Sequence, residues 1–76
     1  MNTSQIQRVQ ELKRRYESEW LKLDGVVAVG IGTVSSGAIG LIVSVRAHAD
    51  AVRARIPERL DDVEIEVRET GELRAL

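Results

Sequence analysis

The first third of the chain repeats apolar positions with the period of an α-helix. The apolar residues that share one helical face are Ile6, Val9, Leu12, Tyr16, Trp20 and Leu23. Charged residues occupy the opposite face, where Glu11 and Arg15 have the favourable i,i+4 order. The pattern predicts a long amphipathic helix that begins at Thr3 or Ser4 and ends at Gly25, since glycine suits a left-handed cap.

The stretch from Gly25 to Val45 contains no charged residue. Its length would suffice for a membrane-spanning helix. Several glycines, many β-branched residues and a turn signal at Ser35-Ser36-Gly37 favour a different interpretation. We therefore predict a β-hairpin with strands Val26–Val34 and Ala38–Arg46, and no association with a membrane.

Both strands of this hairpin alternate larger and smaller side chains. A turn of three or five residues would bring the larger residues of both strands to one face, beneath a helix, whereas a two-residue turn would reverse that pairing. In the first register the opposite face is small and smooth, and it is the candidate interaction surface. Its members are Ala28, Gly30, Gly32, Gly40, Ile42 and Ser44.

The C-terminal half predicts a second helix and two more strands. Ala49–Ile56 has an apolar helical face, and Pro57 ends this helix because its ring removes a donor and clashes with the preceding turn. Leu60 is expected to plug the loop that follows. Val63–Val67 alternates apolar and charged positions, which is typical of a half-buried strand, and Leu73–Leu76 is expected to add a short final strand.

Together these elements predict a single α+β domain that covers residues 1–76. The expected architecture is a two-layer sandwich of αββαββ order, with both helices on one face of an antiparallel sheet. With the last strand between the second and the third, this order is a circularly permuted ferredoxin-like arrangement. The predicted core consists of Val9, Leu12, Tyr16, Trp20, Val27, Val29, Ile31, Leu41, Val43, Val45, Val52, Ile56, Val63, Ile65 and Val67.

Composition narrows the classes of function. A net charge of −1, from 11 basic and 12 acidic residues, creates no field that would attract nucleic acid or an anionic membrane. Cysteine is absent, which removes disulfides, thiolate nucleophiles and zinc–thiolate sites. Trp20 and Tyr16 are the only aromatic residues, so little bulk is available to line a ligand pocket. The polar N-terminus lacks the apolar segment of a secretory signal, and we expect a cytoplasmic protein.

No motif in the chain predicts catalysis, a cofactor or a metal ion. Gly30-Ile31-Gly32 follows a strand, but the dinucleotide-binding fingerprint needs a third glycine and then a helix. His48 is the only histidine, and Asp50 is the one carboxylate near it in sequence. Ser35 and Ser36 lie in no nucleophile motif. We expect a protein that is not an enzyme and uses no cofactor.

Three hypotheses of function remain. The leading one is a non-enzymatic protein-interaction or oligomerisation module that binds a second copy or another protein, because an apolar strand edge tends to be paired or covered. The second is a nucleic-acid accessory protein, although interleaved glutamates favour a solvated helix face. Its basic residues would be Arg8, Lys13, Arg14 and Arg15. The third is a small-molecule-binding domain that uses the outer face of the sheet.

The sequence also resembles a known kind of module over nearly its whole length. The segments that carry the resemblance are Leu23–Gly32, the uncharged strand Ile39–Val45, Ile56–Val67 and Thr70–Leu76. In these segments the chain resembles a small bacterial α/β module of no established function, which is found alone or ahead of trypsin-like serine protease domains. The resemblance implies an accessory or interaction role and supplies no catalytic residue.

Overall fold

The computed structural model describes residues 3–60 and 62–70, with side chains from residue 5 onward. The four strands form one sheet in the order β1-β2-β4-β3, and this sheet with two helices confirms the α+β class. The elements in chain order are helix α1 (Thr3–Trp20), strands β1 (Val26–Thr33) and β2 (Ile39–Val45), helix α2 (Ala49–Arg55), and strands β3 (Arg59–Leu60) and β4 (Val63–Glu69).

Helix α1 buries the apolar stripe that the periodicity indicated. Val9 and Trp20 are buried, and the ring of Tyr16 stacks on that of Trp20 with centroids 5.3 Å apart. The helix ends at Trp20, earlier than predicted. Gly25 has φ 97°, and a Cβ there would overlap the carbonyl oxygen of Ala47. Glycine at this position therefore serves the turn into β1, where an L side chain would be strained, and does not cap the helix.

The uncharged stretch forms the predicted hairpin, with a three-residue turn. The N–H of Gly37 donates to the carbonyl of Val34 at 2.9 Å, and the N–H of Val34 donates to the carbonyl of Ala38 at 2.9 Å. Gly37 has φ 95°, as expected for the left-handed residue of such a turn. This turn selects the register in which the larger residues of both strands share the helix-covered face. Within the described residues, no helix is long and apolar enough to cross a membrane.

The sheet is mixed, so the prediction of an antiparallel sheet is wrong. Strand β2 pairs in parallel with β4, beginning at Leu41 opposite Ile65, and α2 lies in the connection between them. The strand predicted to be third therefore lies beside β2. The final strand was predicted to lie between these two strands, which instead pair directly, so the ferredoxin-like permutation is not confirmed. The segment predicted to form that final strand, Leu73–Leu76, lies outside the described residues. The segment predicted to be a loop at Leu60 forms β3, which pairs antiparallel with the start of β4.

One hydrophobic cluster holds both helices against the same face of the sheet. Tyr16 and Val67 are partly buried against this cluster. The buried members of the predicted core are Val9, Leu12, Trp20, Val29, Leu41, Val43, Val45, Val52, Ile56, Val63 and Ile65. Two members were predicted wrongly, because Val27 and Ile31 are 45% and 39% exposed.

The position and shape of β1 explain these two errors. A β-bulge between Val26 and Ala28 adds one residue to the strand, so Val26 packs partly against the core while Val27 is exposed. Ile31 lies on the outermost strand, with a neighbouring strand on one side only, and it is nearer the hairpin tip than Val29, which is 7% exposed.

Candidate interaction surface

The structure brings the six residues of the predicted interaction surface onto one face of the sheet. The cross-strand pairs are Ala28 with Ser44, Gly30 with Ile42, and Gly32 with Gly40. Because side chains alternate across a strand, all six lie opposite the helices, on what we call the outer face. The outer face continues onto β4, where Glu66 lies beside Ile42 and Arg68 lies beside Ser44.

The chain itself fills part of this outer face. A Cβ atom at Gly32 would lie 2.8 Å from Cδ1 of Ile42. A Cβ atom at Gly40 would lie 3.0 Å from Cγ1 of Val34, and it would overlap the carbonyl oxygen of Glu64. Val34 is only 4% exposed, although it is not part of the main hydrophobic cluster. The two glycines therefore make room for neighbouring groups of the same chain, which reduces the area open to a partner.

Polar contacts hold the tip of the β1–β2 hairpin over β4. Ser35 donates two hydrogen bonds to Oε1 of Glu66, from its backbone N–H at 2.7 Å and from its hydroxyl at 2.9 Å. Nε of Arg68 donates to Oε2 of the same carboxylate at 2.5 Å. Nη2 of Arg68 donates to the carbonyl oxygen of Thr33 at 2.9 Å. The end of β1 is thereby tied to the outer face.

The charge state of Glu66 is coupled to this tip. The hydrogen bond from Arg68 and the two from Ser35 lower the pKa of Glu66, because each stabilises the ionised carboxylate. The second serine of the turn, Ser36, donates from its hydroxyl to Glu64 at 2.9 Å. The tip is therefore fixed largely by contacts to carboxylates.

The side of β1 that faces away from β2 is a second exposed feature, which we call the free edge. The N–H of Val34 donates to the carbonyl of Ala38, so the backbone groups of Val34 point toward β2. In an antiparallel ladder this direction alternates, so Gly30 points toward β2 whereas Val29 and Ile31 direct their N–H and C=O groups to the free edge. Within residues 3–60 and 62–70, no strand pairs with this edge.

The free edge is apolar and uncharged. Strand β1 carries no ionisable side chain. Of the three exposed large hydrophobic residues in the described structure, β1 holds Val27 and Ile31, and Leu21 follows α1. Sheets usually protect a long apolar edge with charges, proline or a covering element, because unpaired backbone groups readily pair with another chain. In the part of the chain that the structure describes, β1 carries no charge or proline, and no strand pairs with its outward side. The bulge between Val26 and Ala28 and the contact of Arg68 with Thr33 interrupt only the two ends of this edge.

The opposite side of the sheet, which we call the protected edge, is covered. Strand β3 pairs with the start of β4, and the N–H of Ile65 donates to the carbonyl of Glu58 at 2.9 Å. Farther along β4, Nη2 of Arg53 donates to the carbonyl of Val67 at 3.3 Å. A short strand and a charged side chain therefore occupy backbone groups that an incoming strand would need.

The basic residues of α1 do not form one surface. Nη1 of Arg8 lies 2.6 Å from Oδ1 of Asp62, and this hydrogen bond lowers the pKa of Asp62. Nζ of Lys13 lies 2.9 Å from Oε1 of Glu17. The helical period of 3.6 residues spreads the four positions around α1, and they are Arg8, Lys13, Arg14 and Arg15. Acidic partners offset two of the four charges, which weakens the case for nucleic-acid binding.

The cavities on the described surface are shallow clefts. One, of about 210 Å³, is lined in part by Leu23, Asp24 and His48. Nε2 of His48 lies 3.5 Å from Oδ2 of Asp24, and both side chains are exposed. Asp50, the carboxylate near His48 in sequence, pairs instead with Arg53 at 3.3 Å. Among the described residues, no group of three or more metal-ligating side chains comes together.

The residues that define the free edge were missed because the local pattern does not reveal which strand is outermost. Val27 and Ile31 alternate with small residues, as the residues of a half-buried strand do, and they were predicted to be core. Comparison of the chain with protein-family models, with curated proteins and with solved structures finds no match.

Proposed function

We propose that this protein is a non-enzymatic protein-interaction and oligomerisation module that docks a partner strand on the free edge of β1. The observation that carries this proposal is an uncharged edge strand of eight residues on which Val27 and Ile31 are exposed. When a strand is added to a sheet, main-chain hydrogen bonds supply affinity and alternate side chains supply specificity. A partner strand would pair the outward backbone groups of Val29 and Ile31 and would cover exposed apolar surface.

This proposal places docking at the edge and not on the outer face. On the outer face, Val34 and Ile42 already lie against Gly40 and Gly32. At the free edge, no group among the described residues competes for the outward backbone of Val29 and Ile31. The edge therefore offers a partner both hydrogen bonds and apolar contact.

The size of the domain also supports an interaction role. A chain of 76 residues buries only about 60% of the surface that it exposes when unfolded, so contacts with a partner add usefully to its stability. The accessory or interaction role that the resemblance to the small bacterial module implies agrees with this proposal.

Sedimentation velocity over a range of protein concentrations tests the proposal. The sedimentation coefficient of the wild type is expected to rise with concentration. Ile31→Lys places an ammonium group on the free edge and is expected to weaken association by at least about tenfold, because strand addition would desolvate the charge. Leu21→Lys is the matched control, since Leu21 is 40% exposed, as Ile31 is, but lies outside the sheet.

Two results would contradict the proposal. One is a wild-type protein that remains monomeric at every concentration and sediments as Ile31→Lys does. The other is an equal loss of association in Ile31→Lys and Leu21→Lys, because that result would mean that exposed apolar residues drive association wherever they lie, and not the free edge in particular. Circular dichroism checks that each variant folds, and Val27→Lys is the second edge variant if Ile31→Lys does not fold.

A further inference from the structure

Resting on the proposed function, we infer that the partner is a second copy of this chain, paired antiparallel through β1 about a two-fold axis at Gly30. A partner strand must itself be an unpaired, uncharged edge, because a buried charge at the junction would lose its hydration without compensation. The β1 strand of a second copy meets this requirement because it is the same uncharged edge strand. A two-fold dimer uses the same surface on both subunits, and this is the commonest symmetry of oligomers.

The backbone of the free edge selects the centre of this pairing. Only residues with outward N–H and C=O groups can bond across the junction, and in the regular part of the edge these are Val29 and Ile31. With the axis at Gly30, Val29 lies opposite Ile31 of the second copy, and each of the two residues donates to and accepts from the other. The symmetry repeats this exchange on the other side of the axis.

Features at the two ends of β1 disfavour a shifted register. Toward the N-terminal end, the bulge between Val26 and Ala28 interrupts the regular ladder. Toward the hairpin tip, the carbonyl of Thr33 already accepts a hydrogen bond from Arg68. A shift of the axis by one residue in either direction would bring one of these features into the pairing, since it places Ile31 opposite Val27 or Val29 opposite Thr33. The axis at Gly30 keeps the pairing within the regular stretch.

The side chains fit this arrangement. Ile31 is 39% exposed on the same face as Val29, so the register places each exposed Ile31 beside Val29 of the second copy. Apolar cross-strand pairs of this kind stabilise a sheet. Gly30 would lie opposite Gly30 of the second copy. This is a pair without hydrogen bonds between the strands, and in such a pair the two Cα atoms are about 4.5 Å apart. A Cβ at Gly30 would meet nothing within 4 Å in the single chain, so crowding inside the subunit does not explain this glycine.

The absence of cysteine makes disulfide mapping a direct test. Gly30→Cys has room for its side chain, and the expected Cα separation falls in the range of roughly 4.4 to 6.8 Å that a disulfide needs. Ala28→Cys and Ser44→Cys are the matched controls on the same face. In the proposed dimer their Cα atoms lie at least about 13 Å from their copies, because Ala28 is displaced along the strand and Ser44 is on the next strand.

Under mild oxidation, Gly30→Cys is expected to form the covalent dimer about tenfold faster than either control. Faster reaction of Ala28→Cys would show a shifted register, and equal reaction of Gly30→Cys and Ser44→Cys would show stacking through the outer face. Either result overturns the inference. If Ile31→Lys still abolishes association in that case, the proposed function survives, whereas a protein that is monomeric by sedimentation refutes both.

Discussion

Both edges of this sheet have backbone N–H and C=O groups that no neighbouring strand of the sheet can pair, and the two edges differ in how many of these groups other parts of the chain cover. At the protected edge, β3 pairs with the start of β4 and Arg53 donates to the carbonyl of Val67. At the free edge, Val29 and Ile31 direct their backbone groups outward, and β1 contributes no charge to discourage pairing. The chain protects one edge with two devices, whereas the stretch from Val29 to Ile31 of the other edge has no paired strand in the described structure, and this difference motivates the proposal that another strand docks there.

The largest expected effect is on the free energy of unfolding, when glycine is replaced by alanine inside the sheet and at its free edge. Gly40→Ala would drive its Cβ into the carbonyl oxygen of Glu64, and we expect the free energy of unfolding to fall by about 3 kcal/mol. Gly30→Ala places its Cβ in open space and is expected to leave the free energy unchanged or raise it by up to about 1 kcal/mol. Urea unfolding below the concentration of association measures both variants, and equal losses would contradict the packing described for Gly40.

The next effect compares two valines at opposite ends of β1 and its turn. Val34 is 4% exposed and Val27 is 45% exposed. Val34→Ala removes two buried methyl groups and is expected to lower the free energy of unfolding by about 2 kcal/mol. Val27→Ala is expected to cost less than about 0.5 kcal/mol in the monomer. The reverse order in chemical denaturation would mean that β1 is turned the other way, with Val27 in the core.

A third change opens the protected edge. Arg53→Ala removes the donor to the carbonyl of Val67, and we expect assemblies larger than a dimer at high protein concentration. The change in the free energy of unfolding should stay below about 0.5 kcal/mol, since Arg53 is exposed. Arg55→Ala is the control, because Arg55 is on the same helix and, among the described residues, makes no hydrogen bond or ion pair with β4. Sedimentation that is the same for both variants and the wild type would show that Arg53 does not protect this edge.

The smallest effect is a dependence on pH at the hairpin tip. Hydrogen bonds from Arg68 and Ser35 lower the pKa of Glu66 in the folded protein below its ordinary value of 4.5. A lowered pKa means that these contacts contribute stability above pH 4.5 and lose it as the pH falls through the folded pKa. The NMR shift of the Ser35 amide should therefore titrate below pH 4.5, and Glu66→Gln should abolish that titration. A midpoint at or above pH 4.5 would contradict the contact.

Much of the fold was predictable because local periodicity reports local structure. The stripe containing Val9 and Trp20 predicted α1, and the turn signal Ser35-Ser36-Gly37 predicted the hairpin. The order of strands in the sheet was not predictable, because it depends on parallel pairing between β2 and β4, which are separated in sequence by α2 and β3. Alternation does not indicate parallel pairing, and the prediction therefore placed a different strand in the centre.

The candidate site was only partly predictable, for the same reason. The small residues from Ala28 to Ser44 do share a face, as the alternation implied. The pattern did not indicate that Val34 would pack on Gly40, since that contact depends on the hairpin tip lying over β4. It also did not indicate the bulge that leaves Val27 exposed. Which strand is outermost and where a strand is bulged are properties of the whole sheet.

Hydrogen exchange at the amides of Val29 and Ile31 is the most direct measurement of whether a second strand pairs with the free edge. These two amides face the free edge, whereas the amide of Ile65 donates to Glu58 at the protected edge and serves as an internal reference. If β1 pairs with a second strand, the amides of Val29 and Ile31 exchange fast in dilute protein and more slowly as the concentration rises, while exchange at Ile65 is unchanged. Fast exchange of both amides at every concentration would contradict the claim that the free edge docks a strand.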